Sequence, residues 1–77
     1  RDAQPEAESA KVQLLTKRER FVASHLNSRL SLIEIAQQLQ VSHSTITSQA
    51  ASIYRKLHVA GRDEAIRYLD KVGFFEV

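Results

Sequence analysis

The sequence predicts an all-α domain of four helices, in which a short second helix, a tight turn and a longer third helix follow one another. Three observations carry this. Apolar residues recur at three- and four-residue spacing in four separate segments, and nothing alternates with period two over a useful length. Thr16-Lys17-Arg18-Glu19 and Ser31-Leu32-Ile33-Glu34 each have the form of a capping box, a local signal for a helix start.

The first helix begins after Thr16, whose hydroxyl can take the orphan amide at the third helical position while Glu19 reaches back to the cap. Leu15 precedes the cap and can act as a staple on the Arg20 stem or the Phe21 side. Val22, Ala23 and Leu26 give the buried stripe, which runs to about Asn27. Asn27-Ser28-Arg29 breaks it. The second helix opens at the Ser31 box and runs to about Gln40, with Leu32, Ile35, Ala36 and Leu39 inward. Val41-Ser42 is a tight turn, with Ser42 the cap of the third helix. There Ile46, Ala50, Ile53 and Leu57 form one continuous apolar face at i, i+4, i+7 and i+11. The fourth helix spans about Arg62 to Lys71, with Ala65, Ile66, Leu69 and Val72 inward. Asp63 and Glu64 suit its dipole and Gly73 is its stop.

At 77 residues, 43% hydrophobic and 26% charged, the chain holds one small globular domain. Residues 1–13, with the sole proline (Pro5) and no sustained apolar period, read as a flexible linker; residues 14–77 read as the folded domain. A chain that starts at Arg1 and contains no Met is expected to be a piece of a longer protein. The absence of cysteine excludes disulfides and Cys-based zinc sites. No apolar run approaches the roughly 18 residues of a membrane span, so no membrane partner is expected, and the first residues lack a signal-peptide core.

Charge is distributed unevenly. Residues 1–13 carry a net of −1, whereas residues 14–77 carry nine Lys/Arg against six Asp/Glu, a net of +3. The 28 residues between Glu34 and Asp63 contain no acid, yet hold Arg55, Lys56, Arg62, His43 and His58. Such a stretch is what a surface facing phosphate requires. The outer side of the third helix offers His43, Ser44, Thr47, Ser48 and Ala51, which are small or polar and carry no acid. Surface helices usually place Glu and Lys there. Short hydroxyl-bearing side chains suit a major groove, where they meet base edges or phosphates and a methyl group meets the thymine methyl. Short helix, turn and longer helix is also the layout of a helix-turn-helix. The plain alternative is a polar face that meets only water.

These residues resemble a known family. Leu15-Thr16-Lys17-Arg18-Glu19, Glu34-Ile35-Ala36 with Leu39, Val41-Ser42-His43-Ser44-Thr45-Ile46, Ile53-Tyr54-Arg55-Lys56-Leu57 with Val59, and Arg62-Asp63-Glu64-Ala65-Ile66 look like the LuxR/FixJ-type DNA-binding domain. The match covers about residues 14–75. The resemblance implies a four-helix effector domain at the C-terminus of a bacterial transcription regulator. Its recognition helix, about residues 43–57, would lie in the major groove of double-stranded DNA, and its fourth helix would form a homodimer contact.

Carried over by position, Thr47, Ser48 and Ala51 would contact bases, and Ser42, Ser44, Thr45, Lys56 and Arg62 would lie on DNA phosphate. For Thr45 an internal helix hydrogen bond competes with phosphate, and for Arg62 a helix end does. Arg67, Tyr68 and Lys71 would supply the dimer contact. The resemblance also implies a cytoplasmic, nucleoid-associated bacterial protein with an N-terminal sensor or receiver domain beyond this chain, and no cofactor.

The sequence departs from the family at several places. Arg29 stands where a left-handed glycine commonly ends the first helix, implying a different loop or strain. Thr47 replaces a common Lys, Gln49 a common His, and Ala51 an often basic residue, which removes phosphate neutralisation from the reading face. Phe21 replaces a charged, exposed residue; it would fill space beside Ala23 or form a docking point.

An enzyme is disfavoured. His25, His43 and His58 lack zinc-ligand spacing, Gly61 and Gly73 cannot make a phosphate-binding loop, and serines 42, 44, 48 and 52 are explained as caps and polar surface. A degenerate helix-turn-helix repurposed as a protein–protein interaction module is the competing reading. It needs a contiguous apolar patch, with Phe21, Tyr68, Phe74 and Phe75 as candidates, although Phe74 and Phe75 read more simply as core ends. At 6% aromatic residues the chain offers no stacking platform for RNA.

Overall fold

The computed structural model describes residues 10–75. Residues 10–13 are helical, and four helices follow: α1 (Lys17–Ala23), α2 (Leu32–Leu39), α3 (His43–Leu57) and α4 (Arg62–Lys71). Among the described residues there is no strand.

Helix starts follow the local chemistry. The Glu19 amide donates to Thr16 Oγ1 at 3.0 Å while the Thr16 amide donates to Glu19 Oε1 at 3.0 Å. The Glu34 amide donates to Ser31 Oγ at 3.1 Å, and the Ser31 amide to Glu34 Oε1 at 2.9 Å. Both capping boxes are complete, which satisfies two orphan donors at each start. Ser42 caps α3 through the Thr45 amide at 3.1 Å. Gly61 gives α4 no side-chain cap, and Glu64 Oε1 instead accepts from the Ala60 amide at 2.9 Å.

Helix ends were harder to read from the sequence. The first helix, expected to reach Asn27, is α-helical only to Ala23. The chain then tightens into three-residue bonds, His25 N to Val22 O and Leu26 N to Ala23 O at 3.0 Å and Ser28 N to His25 O at 3.1 Å. Arg29 does not take the left-handed conformation. Among non-glycine residues that role falls to Gln40 (φ 60°) and His58 (φ 59°). These two close α2 and α3 alike: Val41 N returns to Ala36 O and Val59 N to Tyr54 O, both at 3.0 Å. Gly73, at φ 77°, ends α4 as expected, with Phe74 N on Leu69 O at 2.8 Å.

α3 lies against α1, α2 and α4, and its buried face is Ile46, Ala50, Ile53 and Leu57. Leu15, Val22, Ala23 and Leu26, then Ile35 and Ala36, then Ala65 and Leu69 close around it. Phe74 and Phe75 pack on this cluster as core ends. So does Val12, so the fold takes in residues 10–13 of the segment read as linker; residues 1–9 lie outside the described residues. Leu15 enters the core, whereas Phe21 stays 47% exposed; its ring meets His25 edge-on at 5.0 Å, with the Arg18 guanidinium 5.5 Å from its centroid.

Candidate nucleic-acid interface

The buried and exposed faces of α3 have the same spacing. Ile46, Ala50, Ile53 and Leu57 are buried, while Ser44, Ser48, Ala51 and Arg55, also at i, i+4, i+7 and i+11, are exposed. An offset of two residues at 3.6 per turn turns one stripe roughly 200° from the other, so the exposed stripe points straight away from the core. Thr47 and His43 are exposed beside it. The stripe is free of acids and ends in one cation. Arg55 was not read as part of this face in the sequence. The signal was present, since 55 continues the series from Ser44, but it belongs equally to the basic pair Arg55-Lys56.

Ser42, Ser44 and Thr45 gather at the N-terminus of α3. Ser42 Oγ donates to Thr45 Oγ1 at 2.8 Å while it accepts the Thr45 amide, and it lies 3.3 Å from Ser44 Oγ. The cap therefore occupies Ser42, whereas Ser44 and Thr45 are exposed and retain hydrogen-bonding capacity at the positive end of the helix dipole. The first turn of α3 contains no acid, and its last turn carries Arg55 and Lys56.

Lys56 and Arg62 are engaged inside the domain. Lys56 Nζ lies 2.7 Å from Glu19 Oε1, and Ser52 Oγ donates to Glu19 Oε2 at 2.6 Å. Burial pushes the Glu19 carboxyl up; hydrogen bonds from Lys56, Ser52 and the Thr16 amide, with the Lys56 charge, outweigh it and bring the pKa from 4.5 to about 2. Arg62 donates from Nε and Nη2 to Leu26 O at 3.1 and 3.0 Å, and from Nη2 to Ser28 O at 3.1 Å. It thus closes the end of α1 that no glycine closes. The helix end that competed with phosphate for Arg62 is occupied.

Gln49, on the flank of α3 that carries Ser52 and Lys56, has a buried Oε1 without a hydrogen-bond partner. On α4, Arg67 and Lys71 are exposed one turn apart, and Tyr68 is half-buried with Lys11 Nζ 5.4 Å from its ring centroid. Among the described residues no group of three or more His, Cys, Asp or Glu could hold a metal ion, and no helix is long and apolar enough to cross a membrane.

Comparison with known proteins agrees with this geometry. The family model for bacterial regulatory proteins, luxR family, matches residues 13–69. The spore germination protein GerE of Bacillus subtilis (strain 168) is 38% identical over 64 residues, which is 83% of this chain and 86% of that protein. No solved structure gives a significant match. The chain therefore belongs to the LuxR family of bacterial regulatory proteins, and its helix-turn-helix is a DNA-binding element of transcription regulation rather than an enzyme.

Proposed function

We propose that α3 lies in the major groove of duplex DNA and reads sequence there with Thr47, Ser48 and Ala51. The observation that supports this most is the acid-free stripe set opposite the core. A helix of 15 residues, about 22 Å long, presents two turns of small side chains to a groove about 12 Å wide. Ser44 and Thr45 meet backbone phosphate at its N-terminus, with Ser42 holding that end in shape; phosphate contacts of this kind fix register and orientation. Lys56 and Arg62, which the family resemblance puts on phosphate, act instead by fixing α3 and the end of α1.

Two copies act together on half-sites roughly one helical turn apart, joined through Arg67, Tyr68 and Lys71 of α4. The domain works in the bacterial cytoplasm on the nucleoid, as the output of a regulator that carries a sensor or receiver domain N-terminal to it. Ala51→Glu tests the reading face. Residue 51 is exposed on a helix that tolerates Glu, so the variant keeps its thermal midpoint within a few degrees. Its duplex binding, measured by fluorescence anisotropy, drops at least tenfold. Unchanged binding would remove α3's outer face from the interface.

A further inference from the structure

Arg55 and Lys56 are neighbours in sequence, and one step of helix, roughly 100°, separates their fates. Lys56 is half-buried and ion-paired at 2.7 Å to Glu19, itself only 8% exposed. The Glu19 carboxylate also accepts from Ser52 Oγ and the Thr16 amide, so it is a fixed, desolvated charge that needs its cation. Drawing Lys56 out to a phosphate would leave that carboxylate buried and unpaired, which is strongly unfavourable. Arg55 is exposed on the outward stripe and makes no ion pair with any described residue.

We propose that Arg55 is the cation that grips backbone phosphate at the C-terminal end of the reading helix, and that Glu19 holds Lys56 off the DNA. Glu19 is thus a positioning residue: it uses one of two adjacent cations to dock α3 on α1 and leaves the other for DNA. This rests on the reading of α3 as the DNA-binding helix. It makes a specific count: this end of the helix neutralises one phosphate, not two.

The test is the salt dependence of binding to one fixed duplex, using the whole 77-residue chain. Each phosphate neutralised contributes about 0.9 to the slope of log K against log salt. Arg55→Gln lowers the slope by about 0.9 and weakens binding to the selected and a scrambled duplex alike. Lys56→Gln lowers the thermal midpoint but leaves the slope unchanged. Glu19→Gln releases Lys56 and steepens the slope by about 0.9, and Glu19→Gln with Lys56→Gln restores it.

A measurement on the unmutated chain covers the case in which a variant fails to fold. On addition of duplex, the side-chain nitrogen resonance of Arg55 shifts while that of Lys56 stays where it was. A slope lowered by Lys56→Gln and not by Arg55→Gln, or a Lys56 resonance that moves with DNA, would overturn this assignment while leaving α3 as the reading helix. An unmutated chain that binds no duplex at any salt would overturn both.

Discussion

Arg62, the first residue of α4, donates twice to the carbonyl of Leu26, at 3.1 and 3.0 Å, across 36 residues of sequence. This contact finishes α1 from outside. The tightened turn after Ala23 leaves carbonyls without helical partners, and a planar guanidinium can serve Leu26 and Ser28 together. Arg62→Leu is expected to cost about 1.5–3 kcal/mol in urea unfolding, the range for hydrogen bonds to a charged group. Arg62→Lys should recover less than half of that, because one ammonium cannot reproduce the fork. Full recovery by Lys would show that charge alone matters there.

Acid should expose the Glu19 node. Its pKa is depressed to about 2 in the folded chain and stands near 4.5 when unfolded. A depressed carboxyl stabilises the fold fully above the unfolded value and loses that contribution as pH falls through the folded one. Stability should therefore decline between about pH 4.5 and pH 2, with Glu19 supplying on the order of 2–3 kcal/mol of the change. Glu19→Gln should be less stable at pH 7 and flatter across this window. Parallel curves for the two proteins would assign the acid sensitivity to other carboxyls.

What was legible in the sequence was local or periodic. The capping boxes at Thr16 and Ser31 span three residues, and the stripe Ile46-Ala50-Ile53-Leu57 announces its own face, so both could be read without tertiary knowledge. The partners of Lys56 and Arg62 could not. Each is a cation in an acid-free run, and only folding brings Glu19 to the first and the Leu26 carbonyl to the second. Gln40 and His58 carry no glycine signal for the left-handed positions they occupy, so those helix ends were placed by the next cap rather than by their own chemistry. The outward stripe of α3 was visible as far as Ala51. Arg55 was missed because sequence adjacency to Lys56 conceals the rotation that separates them.

Gln40 offers a stabilising substitution. A left-handed L-residue costs roughly 1–2 kcal/mol, while glycine adds about 0.5–1 kcal/mol of unfolded-chain entropy. Gln40→Gly should therefore raise stability by about 0.5–1 kcal/mol, seen as a small rise in thermal midpoint. A loss would mean that the Gln40 side chain contributes more than its backbone costs.

Phe21 and Ile53 should respond oppositely to truncation. Ile53 is fully buried in the face of α3, and Ile53→Ala should cost about 2–5 kcal/mol. Phe21 is 47% exposed, with its ring edge-on to His25 and 5.5 Å from the Arg18 guanidinium, so Phe21→Ala should cost about 1 kcal/mol or less. Chemical denaturation of both variants checks this, and a Phe21 loss matching that of Ile53 would show that its ring belongs to the core after all.

The central claim is that the acid-free face of α3 reads duplex sequence. Its most direct test is to incubate the purified chain with a randomised duplex pool at about 50 mM and 200 mM salt and to sequence what is retained. Enrichment of two half-sites about one helical turn apart, persisting at the higher salt, is the expected result. Retention that vanishes by 200 mM without any enriched sequence would contradict it, leaving a basic surface that binds phosphate and reads nothing.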